Sequence, residues 1–549
     1  MTTPIPQPPA VPFLGNVRDI DAELPAKSLT LLAKQYGEIF ALNLMGRSVV
    51  AVSSVKLAQE VLDEKRFHKA LNGPLVEVRN LVSDGLFTAY HGEANWGIAH
   101  RILMPAFGPL SIKGMFNDMF DVISQLVLKW ERFGPEHEID PTDDFTRLAF
   151  ETIALCTFNY RLNTFYTEGE PPFVKAMGDF LKECFLRSRR PTLVQALSYG
   201  ANAKYAADME IMNQLANKIV KDRKDHPSDK KDLLNAMLLG KDPQTGQGLS
   251  EENIKAQMLT FLIAGHETTS GMLSFVMAHV MKNPDVYAKI RNEVDSVLGG
   301  EPIRFEHLSN KQLVVAVLRE SLRVTPSIGQ LNVTPHKDEV VGDGKYLIKK
   351  GTTVIVLAAD IGRDPTAETF KPDRMLDGKF EASPVGFIAH VRGPLHPNVI
   401  KTQPKSWLPF GNGARACIGR PFAWQEALIA IATIFQKFDF RPSDESYTLQ
   451  LKQTLTLKPK DFTFHAIPRK GAPSFSVAAA STQASSESTP EKKAIDGDSS
   501  GIPLYVLYGS NTGSCEGFAQ SIASDAAGKG ELRAPSFLSP PSFLNNPQY

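Results

Sequence analysis

Cys417 stands in the run Phe410-Gly411-Asn412-Gly413-Ala414-Arg415-Ala416-Cys417-Ile418-Gly419, a glycine-rich turn with an arginine two residues before the sulfur. The pattern Phe-x-x-Gly-x-Arg-x-Cys-x-Gly arises by chance on the order of 10⁻⁴ times in a chain of this length. That weighs against the ordinary fate of a lone cysteine, burial as a small hydrophobe. A thiolate in such a turn suits axial ligation of haem iron, onto which it pushes electron density. Gly413 and Gly419 would let the backbone curl round the sulfur, so that amides beyond Cys417 point at it and moderate its charge. Arg415 could pair with a haem propionate, and Phe410 could pack against the sulfur. The stretch from Arg420 to Leu428 reads as a helix with Pro421 in its first turn, which places the sulfur near a helix N-terminus and favours its ionised form.

A second constellation must face the first. Asn253 to Lys282 contains no proline and carries apolar residues at helical spacing, with Ala264-Gly265-His266-Glu267-Thr268-Thr269 in its middle. A threonine within a helix can also do no more than bond back to the carbonyl four residues earlier. Farther on, Glu320-Ser321-Leu322-Arg323 puts an acid and a base three residues apart on one helix face, a natural ion pair.

Together these motifs resemble the cytochrome P450 superfamily, which implies a mainly α fold with small β-sheets. The resemblance implies that the long helix crosses the distal face of haem b and opens its hydrogen-bond ladder at Ala264 and Gly265 to admit dioxygen. It implies that Thr268 hydrogen-bonds that oxygen, that Glu267 helps relay protons, and that Glu320 and Arg323 brace the core near the cysteine loop.

The likeness is narrower still, to the soluble fatty-acid hydroxylases whose P450 domain is fused to a diflavin reductase. It runs from about Pro6 to Pro468, clearest at Gly37-Glu38-Ile39-Phe40, Gly85-Leu86-Phe87-Thr88, Leu262 to Gly271 and Thr454-Leu455-Thr456-Leu457-Lys458-Pro459. This implies that Phe87 overhangs the haem and steers the substrate tail, and that Trp96 and His100 join Arg415 at the propionates. Leu75, Leu181 and Ile263 would line the channel, and Arg47 at its mouth would pair with a fatty-acid carboxylate. Taken alone, the apolar residues among these read equally as core and Arg47 as a surface charge. Two departures bear on substrate. Ala51 stands where a hydroxylic aromatic would share carboxylate binding, and Ile328 in Ser327-Ile328-Gly329-Gln330-Leu331 would narrow the space over the iron.

The 549 residues balance 60 Lys+Arg against 60 Asp+Glu, which argues against a nucleic-acid surface. Four widely spaced cysteines offer neither a disulfide framework nor zinc spacing, and point to a reducing, cytoplasmic compartment. The proline-rich N-terminus lacks the roughly 20 apolar residues of a membrane span. Strands are expected at Ile39 to Leu44 and Val49 to Ser53. The expected division is a haem domain over 1–467, a flexible Ser/Ala/Thr/Glu linker over 468–502 and a flavodoxin-like α/β fragment over 503–549. In that fragment Ser510, Asn511, Thr512, Gly513 and Ser514 would wrap the phosphate of FMN at a helix start. It reads as truncated and disordered, without bound FMN, because a doubly wound domain needs about 100 to 150 residues. Val385 to Gln403 reads as an insertion foreign to the family, from a translated intron or a long surface loop.

The expected function is a haem-thiolate monooxygenase using O₂ on long-chain fatty acids or similar lipids. Electrons would pass from NADPH through FAD and FMN of a flavin reductase that the full-length parent carries. The alternatives are a peroxide-driven haem oxygenase and a catalytically silent haem protein.

Overall fold

The proline-free run around Ala264 folds as a 31-residue helix, Glu251–Met281, about 46 Å long. Ser250 caps it by accepting the Asn253 amide at 3.2 Å. Nearly every side chain from Met272 to Val280 is buried, so this half is apolar all round, as expected of a helix through the middle of a core. It packs on the Pro141–Phe158, Pro74–Val82, Gln312–Val324 and Arg420–Lys437 helices. This is a computed structural model, and it describes residues 2–167, 169–310, 312–362, 369–382 and 406–471.

The helices account for most of the described chain, with four small sheets, as the mainly α expectation has it. The largest sheet orders its strands Ile39–Leu44, Arg47–Val52, Thr353–Val356, Leu331–Pro335 and Phe67–Lys69. Its first two strands pair antiparallel from Ile39↔Val52 to Leu44↔Arg47. Met45 and Gly46 join them with φ of 51° and 85°, the pair of positive angles that matches the twist of a two-residue hairpin. The second strand therefore starts at Arg47, two residues before its expected start. Val49–Val52 then runs parallel to Thr353–Val356. A hairpin of Gln450–Gln453 and Leu457–Lys460 lies against the long helix.

Glu320 and Arg323 form the expected ion pair, fully buried, with Nε to Oε2 and Nη2 to Oε1 both at 2.8 Å. The Arg374 guanidinium at 3.0 Å and the Lys371 amide at 2.8 Å complete the shell of Glu320. Next to this pair in sequence, the Arg319 carbonyl accepts the Trp407 indole N–H at 3.0 Å, which ties the helix to the start of the cysteine loop. Cys156 and Cys184 are buried and free. Among the described residues no helix is long and apolar enough to cross a membrane. The segments 385–403, 472–502 and 503–549, with Ser510 to Ser514, lie outside the described residues.

Candidate active site

The loop that carries Cys417 is closed by its own backbone. Gly411 N–H donates to Leu408 at 3.0 Å, Ala416 N–H to Gly413 at 3.0 Å and Cys417 N–H to Phe410 at 2.8 Å. Gly411 and Gly413 have φ of 74° and 66°. A Cβ on Gly413 would stand 2.4 Å from the carboxylate of Glu64, which accepts the Ala414 amide at 2.7 Å. Gly419 does not share this role. Its φ is −79°, open to any residue, and it serves instead as N-cap of the Arg420–Lys437 helix with Pro421 in the first turn. The positive-φ pair of the turn is thus 411 and 413 rather than 413 and 419.

Burial pushes the Cys417 thiol up, while the amides of Gly419 and Arg420 and the Arg420 guanidinium pull it down. Cys417 is exposed as a residue, and it lines a large cavity. Phe410 packs on Trp407 and Trp424, with ring centres 5.9 and 6.2 Å away.

The cavity measures about 1620 Å³, and its lining joins Cys417, Phe410 and Arg415 to Ala264, Gly265 and Thr268 of the long helix. Phe87, Leu75, Ile263 and Ile328 add apolar wall, Trp96 and His100 lie alongside, and Arg47 is at an exposed edge. Leu181 is absent from this lining. The Pro172–Arg187 helix turns it, with Met177 and Cys184, onto the neighbouring helices Pro74–Val82 and Tyr199–Asp225, so it is core. Ala51 shares a strand face with Arg47 but is fully buried in a cluster with Leu29, Leu32 and Phe40 and does not itself line the cavity.

Two further expectations meet a different geometry in the long helix. The helix is unbroken across Ala264 and Gly265, with no opening of its ladder. The Thr268 hydroxyl bonds back to the Ala264 carbonyl at 2.8 Å, and the Thr268 carbonyl accepts the Ser327 hydroxyl at 2.9 Å. Glu267 does not itself line the cavity: its carboxylate oxygens accept the hydroxyls of Thr454 at 3.3 Å and Thr456 at 3.2 Å in the C-terminal hairpin, two residues that do line it.

Arg415 is held through Nη1 to Leu86 O at 3.1 Å and Nη2 to Ala89 O, with its guanidinium carbon 4.5 Å from the Trp96 ring centre. Trp96 in turn stacks on His100 at 4.8 Å. Sequence reasoning missed a second cation here. Lys69 donates to Phe87 O at 2.7 Å and lies 4.8 Å from the Phe87 ring centre. Burial and the nearby Arg415 push Lys69 down to about 7, and burial pushes Arg415 down to about 10. Neither cation forms an ion pair with a carboxylate among the described residues. The only signal in the sequence was a lysine at the end of a short strand, which many surface lysines share.

This donor set fits haem. A lone thiol faces a cavity large enough for the macrocycle, and two desolvated cations await the charge of its two carboxylates. Residues 5–466 match the cytochrome P450 family, and the chain belongs to that family. It is 51% identical over 539 residues to a self-sufficient cytochrome P450 monooxygenase of Phanerodontia chrysosporium, covering 96% of this chain and 49% of that protein. It is 47% identical to bifunctional cytochrome P450/NADPH–P450 reductases of Aspergillus oryzae and Fusarium oxysporum, over 96% of this chain and 48% and 49% of theirs. The chain thus spans about half the length of the curated relatives it matches.

Proposed function

We propose that this chain is a haem-thiolate monooxygenase of long-chain fatty acids or similar lipids. It would use O₂ and electrons that travel from NADPH through the FAD and FMN of a reductase. The observation that carries the reading is Cys417 facing a large, largely apolar cavity that Thr268 and Phe87 also line. Bound haem would supply the oxygen chemistry: one atom of O₂ enters a C–H bond and the other leaves as water, at the cost of two electrons and two protons.

The protein's own part follows from its residues. Cys417 Sγ would hold the haem iron, and the amides of Gly419 and Arg420, which oppose the effect of burial on the thiol, would moderate the charge of the thiolate. Arg415, Lys69 and Trp96 would hold the propionates, with His100 fixing the Trp96 ring. Phe87, Leu75, Ile263 and Ile328 would exclude water and aim the alkyl chain, and Arg47 would take its carboxylate. Ala264 and Gly265 would give the distal face its shape. Thr268 can donate a hydrogen bond into the cavity by a single turn of its hydroxyl away from Ala264 O. Glu267 acts as a positioning residue through Thr454 and Thr456.

That placement of Glu267 favours one second reading, peroxide-driven oxygenation at the same site. Hydrogen peroxide carries its own electrons and protons and needs no relay. In the domain reading, 1–467 is the haem domain with 385–403 inserted, 468–502 a linker, and 503–549 the start of an FMN-binding domain with its phosphate loop at Ser510 to Ser514. A cytoplasmic location accompanies the reading.

The test is the absorption of the chemically reduced protein with and without carbon monoxide. A thiolate-type Soret shift is expected, and its loss in Cys417→Ser. A protein without haem, or a shift unchanged by the substitution, would sink the assignment. Turnover with added reductase and NADPH, set against turnover with hydrogen peroxide alone, separates the two routes.

A further inference from the structure

Three imidazoles meet at the edge of the five-stranded sheet. His68 lies in the Phe67–Lys69 strand, and His336 directly follows the Leu331–Pro335 strand that pairs with it, in the register Phe67↔Pro335 and His68↔Thr334. His91 comes from the turn after Tyr90. The ring centres of His68 lie 4.3 Å from those of His91 and 4.6 Å from those of His336, and the last two are 5.1 Å apart. One nitrogen from each lies within 4.8 Å of the others.

Among the described residues no carboxylate belongs to the cluster. His68 Nδ1 is buried and has no hydrogen-bond partner, an arrangement that costs free energy unless something binds there. His336 Nε2 is 3.2 Å from the Glu64 carbonyl, so its Nδ1 remains for another role. Burial, then the two neighbouring imidazoles, push His68 down to about 4, and burial, His336 and Arg415 push His91 down. Near neutral pH the His68 ring is therefore uncharged, with a lone pair to offer, and the His91 ring is shifted in the same direction.

We propose that His68, His91 and His336 form a binding site for a divalent transition-metal ion of the zinc type. Zinc–imidazole bonds of about 2.0 to 2.1 Å bring three nitrogens to roughly 3.4 Å from one another. The present spacing closes to that value through side-chain rotations, for which the exposed His91 has room. Imidazole nitrogen suits zinc, copper and nickel, and three protein ligands leave a fourth position for water or a carboxylate. Arg415, which helps to push His91 down, disfavours the competing proton there as well as the dication. The ion would tie together two sheet strands and the turn at His91, on a wall of the cavity that His68 and His91 line.

The experiment uses the haem-loaded full chain, dialysed to equilibrium against Zn²⁺, with retained zinc measured by atomic emission and stability by the thermal midpoint. Wild type is expected to retain one zinc per chain and to melt higher with zinc than without it. His91→Gln and His336→Gln are expected to retain zinc at least about tenfold more weakly and to lose the rise in midpoint. His226→Gln, an exposed histidine elsewhere, should behave as wild type. No retained zinc, or retention and midpoint equal in all four proteins, overturns the proposal.

Discussion

Arg47 illustrates how much a single residue's setting decides. It is exposed at the cavity edge, and no described carboxylate pairs with it. Ala51, on the same strand face, contributes no hydroxyl and no cavity surface. A fatty-acid head group would therefore rest on one solvated cation, an interaction of about 1 kcal/mol at most. Arg47→Ala is expected to raise KM for a long-chain fatty acid by up to about fivefold and to leave the corresponding primary alcohol unchanged, since the alcohol carries no charge. Steady-state kinetics on the two substrates checks this. At this scale Cys417 and Arg415 were legible, because few folds demand that pair in a glycine-rich turn. Lys69 was not: its meaning comes from Phe87 and Arg415, which only folding brings beside it.

At the scale of elements, the Arg420–Lys437 helix that starts at the cysteine loop carries Glu426 fully into the core. Both carboxylate oxygens are buried without a hydrogen-bond partner, while the nearby Thr152 hydroxyl donates to Leu148 O at 2.9 Å. Burial pushes Glu426 up to about 8, against about 4.3 in an unfolded chain. The folded state thus holds a proton that the unfolded state releases between these values. The stability this contributes is complete below about pH 4.3 and is lost as pH rises toward 8, at up to about 1.4 kcal/mol per pH unit. Glu426→Gln is expected to flatten that decline and to be the more stable protein at pH 8, as measured by denaturant unfolding at pH 5 and pH 8. The long helix and the first two strands were visible from the sequence pattern, the second strand starting two residues earlier than expected. The facing of Glu267 and Leu181 was not, because each depends on which neighbour its helix turns toward.

At the scale of the whole molecule, a cavity of about 1620 Å³ reaches from the exposed Arg47 to Cys417, with unpaired cations in its wall. Haem that bound the native state and not the unfolded one would stabilise it by RT ln(1 + [L]/Kd), about 4 kcal/mol at a thousandfold excess over Kd. Haem-free protein is expected to melt well below the loaded form, and added haem should restore the midpoint in wild type. Calorimetry of the two forms checks this, and equal midpoints would show that the cavity is self-supporting.

The sequence by itself determined the family, the mainly helical class, the thiolate candidate and the Glu320–Arg323 brace, since each rests on residue types at short, local spacings. Tertiary structure alone decided which faces meet. It set Thr268 back against its own helix, turned Glu267 toward the C-terminal hairpin, took Leu181 and Ala51 into the core, and gathered His68, His91 and His336 at one sheet edge. The reason is that periodicity records which residues share a face, whereas contact between faces far apart in the chain is set by packing the whole core at once.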